Sequence, residues 1–312
     1  MTFEESPGVH RVDLNCNGLP GQVASYLVED GGGLAVVESG PGSTLPTLLD
    51  AVRSLGRDPR EITHVLVTHV HLDHAGGAGV LLRHAPRARV YVHPWGAPHL
   101  ADPSRLLASA TLLYGDRMDA LWGEAAPVPR DRLAVLEDGD AVRVGGRRLV
   151  AVDTPGHAGH HHAFHDPDAG LVFTGDVGGI RLGGARYVSP PTPPPEIDLD
   201  AWAKSLDRLR ALQPRMLLPT HFGAVSDAAW HLDELAGRLA GWAGWMEAQA
   251  AARVAGPALA AALRERATAE ILAATGSAET ARAYEAAVPY PMMAAGLERW
   301  WAEHRAAPRD RR

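Results

Sequence analysis

The chain has 312 residues and a formal net charge of -7, with 30 Lys and Arg against 37 Asp and Glu. No basic run appears in the sequence, which argues against nucleic acid as the main partner. No apolar run approaches the ~20 residues that a membrane helix needs, so no membrane partner is expected. Cys16 is the only cysteine, which excludes an intrachain disulfide and favours a reducing, cytoplasmic compartment.

The first third of the chain alternates apolar, β-branched runs with stretches of helical spacing. The predicted strands are 9–13, 23–28, 34–38, 62–68 and 88–93. The predicted helices are 44–56 and 79–84, where apolar residues recur every three or four positions. An order of strand, helix and strand predicts an α/β fold.

Residues 68–77, which read THVHLDHAGG, follow the strand predicted at 62–68. Because strand side chains repeat every two residues, His69 and His71 are expected to leave the strand on one side and to hold one ion together. Asp73 and His74 come as the chain turns and are expected to face a second ion. Four candidate ligands within six positions indicate a metal site rather than unrelated surface histidines.

Residues 95–130 interrupt the alternation with helical pieces that carry more apolar surface than a connector needs. We predict an insertion that covers the active site, with Tyr114 and Trp122 in the substrate pocket. The alternative is that the insertion only packs on the core. His93, at the end of the preceding strand, either faces the pocket or has a structural role.

The rest of the chain first returns to short strands, predicted at 133–136, 141–144, 148–152, 171–174 and 216–218, with a helix at 198–212. Three consecutive histidines, 160–162, must alternate into and out of a sheet, so not all of them can be ligands. From residue 227 onward the spacing is helical. We therefore predict a metal-binding domain over residues 1–225 and a helical C-terminal extension over 226–312.

The pattern T-H-x-H-x-D-H at 68–74 resembles the signature of the metallo-β-lactamase superfamily. Three further segments resemble that superfamily's motifs in the expected order: TPGH at 154–157, FTGD at 173–176 and PTHFG at 219–223. The resemblance spans about residues 8–225. It implies a metallo-β-lactamase-like αββα sandwich, here followed by the helical extension.

The resemblance also implies a ligand set for two divalent metal ions. One ion would be held by His69, His71 and His157, the other by Asp73, His74 and His221, and Asp176 would bridge them. Nitrogen and carboxylate ligands suit zinc, with iron or manganese as alternatives. Glu38 stands where the superfamily commonly has a supporting aspartate, and His161 is a second supporting candidate. Tyr187 and Tyr290 are further candidates for the substrate pocket.

Such a centre implies a hydrolase in which a metal-bridging hydroxide attacks the substrate and Asp73 is the catalytic residue, orienting the nucleophile and passing a proton to the leaving group. Two divalent ions, two aspartates and one hydroxide leave a charge of about +1, which favours a small anionic substrate. No stronger general acid than Asp73 is available to protonate the leaving group. Substrates whose leaving group departs easily are therefore favoured, namely esters, thioesters and lactones. The closest resemblance is to the glyoxalase-II-like branch. The sequence predicts no oligomeric state.

Two alternatives remain open. The chain could be an oxidoreductase similar to the persulfide dioxygenases, which hold a single iron with the equivalents of His69, His71 and Asp176. The second alternative is that a bound metal only stabilises the fold. Structural metal sites usually have four protein ligands and no open position, and the ligand set implied here differs from that pattern. Asp176 stands where exported β-lactamases of the superfamily usually carry a cysteine, which argues against antibiotic hydrolysis. Homoserine-lactone lactonases generally have a tyrosine shortly after this aspartate, whereas Val177 to Gly179 follow here, which weakens a lactonase prediction without excluding it.

Overall fold

The chain divides into two compact units, and the first of them contains two β-sheets. The computed structural model describes residues 2–306. Unit 1 comprises residues 1–153, 160–175 and 214–226, and unit 2 comprises 154–159, 176–213 and 227–312. The predicted division at residue 225 stays a proposal, and residues 307–312 of the predicted extension lie outside the described residues.

The first sheet has seven strands whose spatial order follows the chain. Its strands are β1 (Thr2–Ser6), β2 (Val9–Asp13), β3 (Ala24–Asp30), β4 (Gly33–Val37), β5 (His64–Leu66), β6 (Arg89–Val92) and β7 (Leu133–Val135). Strands β1 to β4 pair antiparallel, whereas β4 to β7 pair parallel. The carboxyl ends of β4, β5 and β6 therefore meet at one edge of this sheet.

The second sheet has five strands in the order β12-β11-β10-β9-β8. These are β8 (Ala141–Val144), β9 (Arg147–Asp153), β10 (His162–Asp166), β11 (Leu171–Phe173) and β12 (Met216–Leu218). Only β11 and β12 run parallel. A core of buried side chains from both sheets lies between them, with the edge of the Tyr26 ring against Phe173 at a centroid distance of 5.4 Å.

Six helices complete unit 1. They are α1 (Leu45–Ser54), α2 (Leu72–Ala75), α3 (Ala78–His84), α4 (Ala97–Ala101), α5 (Ser104–Tyr114) and α6 (Met118–Trp122). Apolar residues of α1 and α3, such as Leu48 and Leu81, form a second core with residues of the first sheet such as Val36 and Val65. Helices α4 to α6 occupy the predicted insertion between β6 and β7.

Unit 2 is built from helices. These are α7 (Leu199–Ala211), α8 (Ala228–Ala251), α9 (Gly256–Thr275), α10 (Ala278–Ala287) and α11 (Tyr290–Trp301). The indoles of Trp202, Trp242 and Trp300 are at most 1% exposed and are therefore core residues. The predicted α/β class with C-terminal helices is confirmed. Within residues 2–306, none of the helices has both the length and the apolar character to cross a membrane.

Candidate metal centre

The THVHLDH segment leaves the carboxyl end of β5 and turns into the short helix α2. Val65 and Leu66 are fully buried because β5 lies between two parallel neighbours. The strand ends at Leu66, so His69 and His71 lie in a bend and not on a strand, and our strand-period argument for them was wrong. The bend still brings His69 Nε2 within 2.9 Å of His71 Nδ1.

Helix α2 supplies the next two predicted ligands and faces a third. His74 is completely buried, and its ring centroid lies 4.0 Å from that of His69 and 5.5 Å from that of His221. Asp73 Oδ2 lies 3.7 Å from His74 Nε2 and 3.4 Å from His221 Nε2. Unit 1 thus gathers five of the predicted ligands, namely His69, His71, Asp73, His74 and His221.

His221 follows β12, and its protonation is fixed by its neighbour. Its Nδ1 lies 2.8 Å from the Gln22 carbonyl oxygen, which can only accept a hydrogen bond. Nδ1 therefore carries the proton, and in the neutral ring Nε2 presents a lone pair toward the Asp73 carboxylate. Two acceptor atoms at 3.4 Å repel each other unless a cation or a further proton lies between them.

That spacing matches a metal site. Zinc ligands at about 2.0–2.1 Å in a tetrahedral arrangement lie roughly 3.3 Å from one another. Ligand atoms of Asp73, His74 and His221 all fall within 4.8 Å of one another. The donor set of these residues therefore fits a divalent ion.

Unit 2 repeats the same arrangement with the other two predicted ligands. His157 Nδ1 donates to the Pro191 carbonyl oxygen at 3.0 Å, which leaves the Nε2 lone pair 3.3 Å from Asp176 Oδ2. His157 is reached through Gly156, whose φ is +139° and whose absent Cβ would lie 2.4 Å from Trp202. Only glycine fits there.

The segment that carries Asp176 is fixed by two helices of unit 2. Trp202 on α7 donates its indole N–H to the Val177 carbonyl at 2.8 Å. His231 on α8 lies with Nε2 2.6 Å from the Gly178 carbonyl. The sequence predicted the helix that contains Trp202 but no contact for its indole, and it did not single out His231. Both are buried side chains with a polar ring nitrogen, and the role of that nitrogen becomes clear only when the structure shows the carbonyl that it contacts.

Glu38 occupies a buried position next to the ligands of unit 1. Its side chain accepts the backbone N–H of Thr68 at 3.2 Å, and its Oε2 lies 3.6 Å from His74 Nδ1. The negative charge beside that nitrogen favours the tautomer with the proton on Nδ1, which leaves the Nε2 lone pair for a ligand. His161 is also buried, with its ring 5.0 Å from the ring of His69.

Cys16 and Tyr114 lie near the Asp73 carboxylate. Burial and this charge raise the pKa of the Cys16 thiol to about 12, so the thiol is protonated near neutral pH in the metal-free chain. The same two causes raise the pKa of Tyr114, whose hydroxyl therefore remains a hydrogen-bond donor at neutral pH. The Tyr114 ring contacts Trp122 edge-on at 5.1 Å.

The other two predicted pocket residues lie inside unit 2. Tyr187 is fully buried, with its ring against Tyr284 at 5.2 Å and its hydroxyl 3.3 Å from Glu270. Tyr290, at the start of α11, is 2% exposed. The structure shows packing contacts for both rings, and their pocket role stays a prediction.

Comparison with known proteins agrees with this geometry. The model of the metallo-beta-lactamase superfamily matches residues 18–221. A metallo-beta-lactamase fold-containing protein of Sulfurisphaera tokodaii is 31% identical over 169 residues, which are 53% of this chain and 62% of that protein. A hydroxyacylglutathione hydrolase of Aeromonas salmonicida is 30% identical over 178 residues, 57% of this chain and 53% of the relative. The chain thus spans less than two thirds of either curated relative.

A solved structure extends the similarity of fold over nearly the whole chain. The crystal structure of a metallo-beta-lactamase family protein from Thermus thermophilus superposes with a TM-score of 0.67, covering 96% of this chain and 95% of that one. At 23% sequence identity, this comparison shows a shared fold only.

Proposed function

Since this chain belongs to the metallo-beta-lactamase superfamily, we propose that it is a metal-dependent hydrolase acting on a small ester, thioester or lactone. The observation that carries the proposal is the approach of His221 Nε2 and Asp73 Oδ2 to 3.4 Å, with the ring proton held on Nδ1 by the Gln22 carbonyl. A pair of acceptors held this close is suited to a cation.

The proposed ligand set follows the order of the superfamily's motifs. His69, His71, Asp73, His74 and His221 come from unit 1, and His157 and Asp176 come from unit 2. Bound there, two divalent ions, for which we propose zinc, would supply an activated water and polarise a carbonyl oxygen. The Glu38 carboxylate lies beside His74 Nδ1 and favours the tautomer that ligation through Nε2 needs. The Gln22 and Pro191 carbonyls accept the Nδ1 protons of His221 and His157 and so orient both rings.

Asp73 is the residue for which we propose a role in proton transfer. Its side chain is 24% exposed, whereas those of His74 and His221 are at most 3% exposed, so it is the member of this group that a substrate can reach. An oxygen of this carboxylate can hold the attacking water and later deliver the proton to the leaving group. A carboxyl group is a modest acid for this task, which favours substrates whose leaving group departs easily.

Among such substrates we propose thioesters first. A thiolate leaves more readily than an alkoxide, and the hydroxyacylglutathione hydrolase to which the chain is similar acts, by its name, on hydroxyacylglutathione. Tyr114 and Trp122 supply an aromatic wall, and the protonated hydroxyl of Tyr114 can donate to a carbonyl or carboxylate of the substrate. A cytoplasmic location, expected from the single cysteine, is part of the same proposal.

The test combines metal analysis with turnover. We expect protein purified without added metal to contain two ions per chain and to hydrolyse acyl-glutathione or acyl-coenzyme A thioesters. His71→Ala and Asp176→Ala should each lower turnover at least ~10³-fold while the far-UV circular dichroism is unchanged. His84→Ala, an exposed histidine on α3, is the matched control and should retain full activity.

Two results would overturn the proposal. Unchanged turnover in either ligand variant would remove the metal mechanism. A single iron per chain, with oxygen uptake when glutathione persulfide is added, would instead support the dioxygenase alternative.

A further inference from the structure

A second group of metal-binding side chains lies in unit 1, outside the proposed ligand set. It consists of His93, Asp153 and His162, whose ligand atoms all lie within 4.8 Å of one another. His93 directly follows β6 of the first sheet. Asp153 ends β9 and His162 begins β10, both in the second sheet. The three residues therefore join strand ends from the two sheets.

Strand register fixes two of the three residues. Asp153 and His162 are paired across the antiparallel β9 and β10. The backbone N–H of His162 also donates to the Thr68 carbonyl at 2.7 Å. His93 Nε2 lies 3.4 Å from Asp153 Oδ1, and the rings of His93 and His162 are 4.6 Å apart at their centroids. The 3.4 Å distance equals that between His221 Nε2 and Asp73 Oδ2, but here Nε2 carries the ring proton because His93 Nδ1 accepts the Trp95 backbone N–H.

His162 is the member whose environment calls for a ligand. Its side chain is completely buried, and among the described residues neither of its ring nitrogens has a hydrogen-bond partner. A buried imidazole without partners for either nitrogen is unusual in a native protein and commonly marks a bound water or ion. Burial and the neighbouring His93 lower the pKa of His162 to about 4, so the neutral ring has a lone pair to give near neutral pH.

The group is within reach of solvent. The Asp153 side chain is 36% exposed and contacts His93, whose ring lies 5.5 Å from the ring of Trp95. Trp95 itself is 69% exposed. An ion can therefore reach the buried His162 past Asp153 without opening the core.

We propose that His93, Asp153 and His162 bind one divalent transition metal ion, as a mononuclear site separate from the candidate metal centre. Two imidazoles and one carboxylate suit zinc or ferrous iron, and a tetrahedral ion would keep one position for water. The bound ion would tie the end of β6 to the paired ends of β9 and β10.

Ligation by His93 carries one local cost. Its Nδ1 now accepts the backbone N–H of Trp95 at 3.0 Å, so its proton is on Nε2. When Nε2 binds the ion, the proton moves to Nδ1 and the bond to Trp95 is lost. Because Trp95 is exposed, water can take over its backbone N–H.

The decisive experiment locates the ion directly. Crystals of the full chain, stripped with a chelator and then dialysed against zinc chloride near pH 7.5, should give an anomalous peak at the zinc edge about 2.0–2.2 Å from a ligand atom of each of the three residues. A peak that touches only one of them, or none at all, overturns the proposal.

Metal content gives a second, independent measure. Asp153→Asn and His162→Phe should each bind one zinc ion fewer per chain than the wild type, and His84→Ala should bind the same number. The readout is this difference, so it holds whatever the occupancy of the candidate metal centre. If His162→Phe fails to fold, Asp153→Asn decides the question because its carboxylate is partly exposed. Equal zinc content in Asp153→Asn and wild type refutes the site.

Discussion

Glu38 shows how one longer side chain can replace the aspartate that the superfamily commonly has at this position. Its carboxylate is 1% exposed and contacts two groups at once, the Thr68 N–H and the His74 ring. Its backbone φ is +62°, an unusual value for a residue with a side chain. Such a conformation is kept only where the surroundings determine it, here beside the proposed ligands.

Replacing the Glu38 charge should therefore weaken metal binding. Glu38→Gln keeps an acceptor for Thr68 but removes the negative charge opposite His74 Nδ1. We expect metal affinity to fall roughly 10- to 100-fold, the range typical of groups that orient a ligand. Competition with a chromophoric chelator measures it.

Glu265→Gln, an exposed substitution of the same kind, serves as the control and should bind metal like the wild type. Equal affinity in the Glu38 and Glu265 variants would mean that Glu38 does not support the ligands.

Gly156 is a second residue whose replacement gives a sharp test. An alanine Cβ would lie 2.4 Å from Trp202, and φ is +139°. We expect Gly156→Ala to lower the free energy of unfolding by about 3 kcal/mol or more, from the combined clash and backbone strain. Gly183→Ala, at φ +58° with open space around it, isolates the strain alone and should cost about 1–2 kcal/mol. Equal losses in urea denaturation would contradict the steric argument.

At the scale of elements, α7 and α8 act together on the segment that carries Asp176. Each sends one buried side chain to a carbonyl of this segment, Trp202 to Val177 and His231 to Gly178. A buried carbonyl left without a donor is costly, so the two bonds limit the segment to one conformation. The helices of unit 2 thus position a proposed ligand in addition to forming a core.

His231 makes this arrangement sensitive to acid. Burial lowers the pKa of His231 from 6.5 to about 4. Between these values the unfolded chain binds the proton more readily than the folded one, so stability is lost as the pH falls from about 6.5 toward 4. His231→Gln keeps a donor for Gly178 and removes the titration.

With both proteins free of metal, the unfolding free energy of His231→Gln should fall less than that of the wild type as the pH decreases from about 6.5 to 4. The expected difference is up to about 3 kcal/mol. Urea denaturation at pH 7 and pH 4.5, for wild type and variant, measures the difference. Parallel pH profiles would show that His231 is not responsible.

Secondary-structure prediction succeeded where the local sequence pattern determines the element. It failed where pairing with a neighbouring strand determines whether a strand forms and where it ends. Strands β2, β8 and β12 have the predicted bounds. The run 62–68 forms a strand only over His64–Leu66 because only these residues pair with β4 and β6. Strand β1 was not predicted, since its polar sequence, TFEES, forms a strand through pairing with β2.

The candidate centre was predictable to a similar extent. The motifs named the residues that unit 1 gathers, including His221 from far along the chain. They could not name the carbonyls of Gln22 and Pro191 that set the ring protons, because every residue carries a carbonyl and only the fold selects one. The group of His93, Asp153 and His162 was not predicted because no sequence motif joins these residues and only the pairing of the strands brings them together.

For the whole molecule, bound metal should appear as thermal stability. Ions that bind only the folded chain stabilise it by about 4 kcal/mol at a free concentration 1,000 times the dissociation constant. For a chain of this size that corresponds to roughly 10 °C in the melting temperature. Differential scanning calorimetry before and after chelation should show this drop and its reversal by zinc. An identical melting temperature in both states would argue against tight metal binding.

The contacts of β12 and the residues after it have a consequence for synthesis on the ribosome. The Tyr26 hydroxyl donates to the Pro219 carbonyl, and His221 donates to the Gln22 carbonyl, across separations of 193 and 199 residues. Translation has to proceed past His221 before Tyr26 of β3 and Gln22, which precedes β3, can both make these contacts. With the ligand set proposed above, metal capture by Asp73 and His221 would therefore come late in synthesis, and a stalled, shorter chain would hold its histidine-rich segment without the last proposed ligand.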